Sequence, residues 1–173
     1  MRPRDLSEFA GQEHILGPGK LLRRSIETDR FMSLILYGPP GAGKTALAHL
    51  IAEKSKAHFI ALNAVTAGVA DIRRVAQEAA EERAQSGKRT LLFIDEIHRF
   101  TRVQQDALLP DVEQGTITLI GASTQNPFFA IIPALSSRSQ IFEFKPLREE
   151  DIRSILLRAL ADRERGFGAI AVT

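Results

Sequence analysis

The chain of 173 residues contains no cysteine, which excludes a disulfide scaffold, a zinc site built on thiolates and a cysteine nucleophile. This composition fits a reducing compartment. The chain also lacks any run of about 18 apolar residues, so no membrane-spanning helix is predicted. The segment Met1–Asp5 is not followed by the apolar core of a secretory signal peptide. No long block of like charge is present, so the sequence offers no polybasic arm for nucleic acid.

The overall composition is that of an ordinary globular domain. Hydrophobic residues make up 44% of the chain and charged residues 25%. The 23 basic residues outnumber the 21 acidic ones slightly and leave a formal net charge of +2. A chain of this length fits one domain with the start of a second. It is also long enough to bury a core without disulfides or a structural metal.

Short apolar runs alternate with helical patterns along the chain. The runs consist mostly of Ile, Leu, Phe or Val and are bounded by polar or turn residues, as is typical of strands in a parallel sheet covered on both faces. The five predicted strands are Met32–Tyr37, His58–Leu62, Thr90–Ile94, Ile117–Ala122 and Ile141–Phe144. Strands that alternate with helices predict an α/β doubly wound fold.

Four helical patterns separate or follow these strands. Apolar residues at helical spacing predict helices over Lys44–Lys54 and Val69–Gln85. Thr101 is a candidate N-cap for a third helix, which Pro110 is expected to kink or end. The last helix is predicted from Arg148 to Leu160, because acidic residues in its first turn suit a helix N-terminus.

The strongest motif is the segment Gly38–Thr45, which matches G-x-x-x-x-G-K-[ST] between a predicted strand and a predicted helix. Glycines allow the backbone N–H groups to converge on phosphate oxygens, and the helix N-terminus adds its dipole. Lys44 is assigned to the β- and γ-phosphates and Thr45 to Mg²⁺. The alternative is a Gly/Pro turn that happens to precede Lys-Thr. The predicted nucleotide contacts in this region are Pro40, Gly41, Ala42, Gly43, Lys44, Thr45 and Ala46.

Two acids follow the third predicted strand. Asp95 and Glu96 come directly after four apolar residues, and ligands gather at the carboxyl ends of strands in open α/β sheets. Asp95 is assigned to Mg²⁺, directly or through water, and Glu96 to general-base activation of the attacking water. The alternative is a strand that ends in two solvated acids. His98 is expected to be structural.

Two further polar residues are weaker candidates. Thr124 follows the fourth predicted strand and either contacts the γ-phosphate or belongs to a turn-forming Ser/Thr/Asn/Pro cluster. Arg138 precedes the fifth predicted strand. It is either a solvated surface charge or an arginine finger that acts on the nucleotide of a neighbouring subunit.

Taken together, these motifs resemble those of AAA+ ATPases. Arg2-Pro3 and Phe9-Ala10-Gly11-Gln12 resemble the box that packs on adenine in clamp-loader and RuvB-like members, so Arg2, Pro3, Ala10 and Gly11 are adenine-side candidates. Within AAA+, the segments Asp95–Phe100, Gln104–Pro110 and Gly115–Ala122 closely resemble the replication-associated recombination protein A family, whose eukaryotic relative is the Werner-helicase-interacting ATPase. The resemblance runs from Arg2 to about Gly168.

This resemblance implies a function and an assembly. It implies hydrolysis of ATP to ADP with Mg²⁺, with Glu96 and Thr124 catalytic, Thr124 at the sensor 1 position and Arg138 at the arginine-finger position. It implies a homo-oligomer, typically a tetramer, that acts on DNA at stalled forks and gaps in replication, repair and recombination. Single-stranded-DNA-binding protein is an implied partner. The implied location is the bacterial cytoplasm, in association with the nucleoid.

The resemblance also implies a domain division. Residues 1–145 correspond to the AAA+ core with its five-stranded parallel sheet, and residues 146–173 to the start of a helical lid. The sensor 2 arginine and the oligomerisation region of the family are absent, so Gly166–Thr173 is interpreted as a truncation point. Phe128 and Phe129 stand where relatives usually have one aromatic. One of them is expected to pack into the core, with stacking on a DNA base as the alternative.

Two other functions remain open from the sequence. The chain is either an active ATPase or a nucleotide-binding and assembly module with little activity of its own. A clamp-loader or RuvB-type motor subunit is the third possibility, against which the segments Asp95–Phe100 and Gln104–Pro110 argue.

Overall fold

A sheet of five parallel strands forms the centre of the computed structural model, which describes residues 2–168. The strands are β1 Ser33–Tyr37, β2 His58–Asn63, β3 Thr90–Asp95, β4 Ile117–Ser123 and β5 Ser139–Glu143. Their order across the sheet is β2-β3-β4-β1-β5. The predicted five-stranded parallel sheet is therefore confirmed.

Strand boundaries differ from the predicted ones by one or two residues. Strand β1 begins at Ser33, because Met32 is not part of the pairing and its side chain is exposed. Strand β5 begins at Ser139 rather than Ile141, because Ser139 and Gln140 pair with β1 although both are polar. Apolar content alone therefore placed the start of this strand too late.

Helices cover both faces of the sheet. The helices are α1 Glu13–Leu16, α2 Leu21–Glu27, α3 Lys44–Ser55, α4 Val69–Ser86, α5 Arg102–Glu113, α6 Pro127–Ala130, α7 Pro133–Ser136 and α8 Glu149–Ala161, and a 3₁₀ helix spans Ile97–Arg99. The four predicted helices are present as α3, α4, α5 and α8, and the boundaries of α3, α4 and α8 lie within one residue of the predicted ones. The short helices α1, α2, α6 and α7 and the 3₁₀ helix were not predicted.

Pro110 was expected to kink or end the third predicted helix, and of these two effects the end is wrong. Helix α5 is capped by Thr101, whose hydroxyl accepts the Gln104 N–H at 3.3 Å, and it continues through Pro110 to Glu113. Proline removes one backbone hydrogen bond. The helix persists because Leu108 is fully buried and because the Pro110 carbonyl still accepts the Gln114 N–H at 3.0 Å.

The core lies in two layers, one on each face of the sheet. One layer contains Leu34 and Leu36 of β1 together with apolar residues of α3. The other contains Ile35 of β1 and buried residues of α4 and α5. Successive residues of a strand face opposite sides, so a strand covered on both sides is apolar throughout. This explains why β1 was recognisable from its sequence.

The strand order determines where the candidate site forms. Strands β3, β4 and β1 are neighbours at the centre of the sheet, and their carboxyl ends are Asp95, Ser123 and Tyr37. Tyr37 pairs with Ser123, and the Gly38 N–H donates to the Ser123 carbonyl at 3.0 Å. The segments that follow these three strands therefore meet at one edge. Within residues 2–168, no helix is long and apolar enough to cross a membrane.

Candidate active site

The loop between β1 and α3 has a backbone that only glycine accommodates at two positions. Gly38 has φ 149°, and a Cβ placed there would overlap the Phe144 carbonyl. Gly43 has φ 102° and caps α3 without a side chain, and a Cβ there would lie 3.0 Å from Cζ of Phe9. Because no side chain at Gly43 caps the helix, the N–H groups of its first turn are free to receive an anion.

Lys44 is held at this loop. Its ammonium donates hydrogen bonds to the carbonyls of Gly38 at 2.7 Å and Pro39 at 2.8 Å. Burial lowers the pKa of Lys44, while the nearby carboxylates of Glu96 and Asp95 oppose that shift. A desolvated ammonium attracts phosphate more strongly than a solvated one does.

The two acids lie opposite the loop. Asp95 is the last residue of β3, and its carboxylate accepts the Glu96 N–H at 3.1 Å. Glu96 has a left-handed backbone, with φ 55° and ψ 41°. The Thr124 hydroxyl, just beyond β4, donates to Oε2 of Glu96 at 3.3 Å.

A single cavity of about 320 Å³ unites these groups. It brings together the phosphate-loop residues, both acids and Thr124, although 79 positions separate Thr45 from Thr124 along the chain. Every predicted residue of the loop except Ala42 lines this cavity. Its lining consists of Pro40, Gly41, Gly43, Lys44, Thr45, Ala46, Asp95, Glu96 and Thr124.

The donor set at this cavity fits Mg²⁺. Thr45 offers a hydroxyl and Asp95 a carboxylate, and Mg²⁺ prefers oxygen ligands and is commonly bound by one or two protein groups together with substrate phosphates and water. Among the described residues, no group of three or more His, Asp or Glu side chains forms a complete metal site.

A second cavity of about 120 Å³ adjoins the first, because Gly41, Gly43 and Ala46 line both. Its walls are largely apolar and suit a flat base more than a phosphate. The predicted adenine-side residues Arg2, Pro3 and Ala10 line it, together with Ala42. Gly11 does not: it lies at a neighbouring cavity with Gln12 and Asp151.

Helix α8 and the residue Leu147 before it form another part of the wall of the second cavity. Leu147 precedes this helix, and Ile155 and Arg158 lie on it; all three line the cavity with Phe9. The Arg158 guanidinium donates to the Glu8 carbonyl, which ties α8 to the N-terminal segment.

Gln12 connects the same parts of the molecule. Its side-chain amide donates to the carbonyls of Lys145 at 2.7 Å and Ala42 at 3.2 Å, and its amide oxygen accepts the Lys145 N–H at 2.9 Å. The residue is buried and has a left-handed backbone. Gln12 thus joins the N-terminal segment, the phosphate loop and the segment that leads to α8.

Arg138 is not brought to these cavities. It precedes β5, at the amino edge of the sheet, whereas both cavities lie at the carboxyl edge. A strand of five residues spans roughly 17 Å. The Arg138 guanidinium pairs with the Glu113 carboxylate at 2.6 Å and donates to the Ala134 carbonyl at 2.9 Å.

The profile of the ATPase family associated with various cellular activities (AAA) matches residues 34–147, which is more than half of the chain. The chain belongs to this AAA family. The matched segment begins in β1 and contains the phosphate loop, both acids, Thr124 and Arg138.

Relatives of this AAA ATPase carry more specific names. Replication-associated recombination protein A of Coxiella burnetii is 52% identical over 99% of this chain and 38% of that protein. The protein of the same name from Escherichia coli K12 is 48% identical over 97% of this chain and 37% of its own length. The family resemblance drawn from the sequence is thereby confirmed. The chain spans less than two fifths of the length of these relatives.

A solved structure shows the same fold. The Holliday junction branch migration motor RuvB of Thermotoga maritima matches with a TM-score of 0.72 and 29% identity, over 92% of this chain and 54% of that one. The fold of this chain is therefore also found in a solved motor protein.

One expectation for this AAA ATPase needs correction. Neither Phe128 nor Phe129 packs into the core: 71% and 92% of these residues are exposed. Asn126 caps the short helix α6 and Pro127 occupies its buried position, so the two following side chains face outward.

His98, expected to be structural, lies beside the site, with Nε2 at 3.2 Å from Oε2 of Glu96.

Some residues of the site carried no recognisable sequence signal. Leu147, Ile155 and Arg158 reach the second cavity through the packing of α8, which an apolar helical pattern does not reveal. Phe9 is the exception, because it belongs to the segment that resembles the adenine box and could have been predicted from it.

Proposed function

We propose that the chain hydrolyses ATP to ADP and phosphate in a Mg²⁺-dependent reaction. The observation that carries this proposal is the single cavity shared by Lys44, Thr45, Asp95, Glu96 and Thr124. Membership of an ATPase family supports it. The largely apolar walls of the adjoining cavity suit adenine. A nucleotide with its adenine in that cavity would have its phosphates beside Asp95 and Glu96.

Each side chain has a distinct task in this reaction. Lys44 and the free N–H groups at the start of α3 bind the phosphates, and Thr45 and Asp95 hold Mg²⁺, which neutralises phosphate charge when bound. Glu96 orients the attacking water and accepts its proton. Thr124, hydrogen-bonded to Glu96, lies where it can contact the same water or the γ-phosphate.

Arg138 is proposed to act on the nucleotide of a neighbouring subunit. Its place at the amino edge of the sheet excludes a contact with the nucleotide of its own chain, since the strand length of β5 separates the two. An arginine finger supplied by a neighbour stabilises charge in the transition state. The role requires a homo-oligomer, which we propose to be a tetramer, and it requires the pair with Glu113 to open.

We further propose that ATP hydrolysis drives an action of the protein on DNA at replication forks or gaps, in the bacterial nucleoid. The names of the relatives, which refer to replication and recombination, support this role. Single-stranded-DNA-binding protein is a proposed partner. The exposed Phe128 and Phe129 leave base stacking available as a DNA contact.

The test is steady-state ATP hydrolysis with Mg²⁺, measured across protein concentrations and repeated with single-stranded and forked DNA. Glu96→Gln is expected to lower kcat by about 10²–10⁴-fold and to leave ATP affinity unchanged, because only the base is lost. Glu78→Gln is the matched control, since Glu78 also contacts a histidine but lies outside the site.

The outcomes separate the possible functions. Undiminished turnover by Glu96→Gln would remove the proposed base. A negligible rate of the unaltered chain at every concentration would favour a nucleotide-binding and assembly module. Equal rates with and without DNA would contradict the DNA role, whereas branch migration or clamp loading would favour a motor of those classes.

A further inference from the structure

The side chain of His98 is buried beside Glu96, which lines the cavity of the candidate site. It belongs to the 3₁₀ helix Ile97–Arg99 that directly follows Glu96. Only 4% of the His98 side chain is exposed, whereas the next residue, Arg99, is exposed. Ile97 is fully buried in the core and anchors this turn. The imidazole is therefore held in a defined place rather than in solvent.

Both ring nitrogens of His98 have polar partners. Nε2 lies 3.2 Å from Oε2 of Glu96, and Nδ1 lies 3.1 Å from the hydroxyl of Ser123. Ser123 is the fully buried last residue of β4, and its carbonyl accepts the Gly38 N–H. The ring thus bridges Glu96 to a rigid point of the central sheet that also holds the first residue of the phosphate loop.

The hydrogen bonds of Ser123 hold its hydroxyl in one place beside the His98 ring. The hydroxyl lies 2.7 Å from the Gln125 carbonyl oxygen, which can only accept a hydrogen bond. The hydroxyl oxygen also accepts the Gln125 N–H at 2.9 Å. The backbone of Gln125 therefore fixes the group that Nδ1 of His98 contacts.

The side chain of Glu96 is restrained at one oxygen. Oε2 receives both the Thr124 hydroxyl and the His98 ring, so Oε1 is the oxygen we assign to the attacking water. A glutamate side chain has three rotatable bonds, and holding it in one geometry removes an entropic barrier from the reaction.

We propose that His98, itself held by Ser123, is a positioning residue that orients Glu96 for hydrolysis. This inference rests on the proposed function, because it requires Glu96 to be the base. His98 touches neither substrate nor metal in this role. It acts through the direction in which it holds the carboxylate.

Two amide variants separate the two ring contacts. His98→Gln places an amide nitrogen near the position of Nε2 and retains a donor to Glu96, whereas His98→Asn retains a polar contact to Ser123 only. His98→Asn is expected to lower kcat by about 10²-fold with an unchanged KM and ATP affinity, since misplacing a reacting group by 1 Å has an effect of this size. His98→Gln is expected to recover most of the loss.

A matched control distinguishes positioning from a general effect of histidine replacement. His58 also contacts a carboxylate, Glu78 at 2.9 Å, but lies at the amino end of β2. His58→Asn is expected to leave kcat unchanged. In the Glu96→Gln background, His98→Asn is expected to have no further effect on turnover, because residues that act as a unit are not additive.

The results distinguish failure of this inference from failure of the proposed function. If Glu96→Gln abolishes turnover while His98→Asn keeps the rate of the unaltered chain, or changes only KM, the inference is wrong and the ATPase proposal stands. If Glu96→Gln retains full turnover, the proposed base is wrong, and with it the positioning role.

A measurement without turnover tests the contacts themselves. The chain has four histidines, and His98→Asn identifies the His98 signals in a long-range ¹H–¹⁵N spectrum. The signals of the His98 ring nitrogens are expected to shift on Ser123→Ala and on Glu96→Gln. A His98 ring whose nitrogens do not respond to either substitution would overturn the bridge irrespective of activity.

Discussion

Glu96 combines an unusual backbone with the role of base in the proposed hydrolysis. A non-glycine residue in the left-handed region costs about 1–2 kcal/mol relative to a right-handed one, and Glu96 has φ 55°. The conformation turns the chain sharply between β3 and the 3₁₀ helix Ile97–Arg99. This turn places the side chains of Glu96 and His98 together at the carboxyl edge of the sheet.

Replacing the Thr124 hydroxyl tests its contribution. Thr124→Val keeps the shape of the side chain and removes the donor to Glu96. We expect kcat to fall by about 10²-fold, the usual effect of losing one oriented donor, with ATP affinity preserved.

The control for this variant is Thr118→Val. Thr118 lies on the same strand but lines a cavity at the opposite end, beside Arg138. Steady-state hydrolysis and equilibrium nucleotide binding measure both variants. Equal rates for Thr124→Val and Thr118→Val would show that Thr124 belongs only to the turn.

At the scale of elements, helix α8 has few buried contacts for its apolar content. Ile152 and Leu156 are about half exposed, as are Leu157 and Leu160. The Asp151 carboxylate caps the helix by accepting the Arg148 N–H at 2.9 Å, and Arg158 joins the helix to Glu8 of the N-terminal segment. Polar groups thus contribute both to the first turn of α8 and to its contact with the N-terminal segment.

Asp151 is expected to stabilise α8 in a pH-dependent manner. The Arg148 N–H and then the Arg148 guanidinium lower the pKa of Asp151 below its ordinary 3.8. A lowered carboxyl pKa contributes stability above pH 3.8, and this contribution is lost as the pH falls through the lower value of the folded state.

Asp151→Ala is expected to increase opening of the first turn of α8 by roughly 2–30-fold at pH 7, the range of a lost helix cap. Amide hydrogen exchange, corrected for intrinsic rates, measures the opening at pH 7 and pH 3, and the difference from the unaltered chain should shrink at pH 3. Glu150→Ala is the control, because Glu150 is strongly exposed and contacts only the Arg148 side chain, at 3.7 Å, whereas Asp151 accepts the Arg148 N–H. A difference that persists at pH 3 would contradict the role of the ionised carboxylate.

At the scale of the whole molecule, the two edges of the sheet separate two parts of the proposed chemistry. The carboxyl edge holds the cavities, and the amino edge holds Arg138 in its pair with Glu113. A ring or tetramer that apposes these edges would complete the site between subunits. The Arg138 guanidinium would then leave the Glu113 carboxylate and pair with a phosphate of the neighbouring subunit's nucleotide.

Mixing two inactive variants tests this arrangement. Arg138→Ala is expected to lower turnover by about 10³–10⁵-fold in the assembled protein. Adding Glu96→Gln subunits should restore activity, because they supply an intact arginine to subunits that retain their base. Arg102→Ala, at a strongly exposed arginine of α5, should neither lower the rate nor require complementation.

A mixture that stays inactive while both variants still assemble, as measured by mass in solution, would exclude the role between subunits. An equal loss of rate in a monomeric preparation would exclude it as well.

The features determined by the sequence are local. The phosphate loop, Asp95 and Glu96 could be found because their chemistry depends on consecutive residues: glycines that permit a particular backbone, a lysine at the helix start, and acids directly after an apolar strand. The parallel sheet could be predicted because strands covered on both faces must be apolar throughout. The polar start of β5 and the continuation of α5 past Pro110 were not predicted, because strand pairing and side-chain packing outweigh the local sequence preference at these positions.

Only the tertiary structure decided which distant groups meet. The strand order sets Thr124 and Ser123 beside Glu96 and His98, and the position of α8 adds Ile155 and Arg158 to the second cavity. The tertiary structure also places Gly11 at a neighbouring cavity, leaves Phe128 and Phe129 exposed, and places Arg138 at the amino edge of the sheet. The absence of cysteine excluded thiol chemistry from composition alone. Contacts between residues far apart in the chain depend on how buried surfaces pack, and no local pattern encodes that.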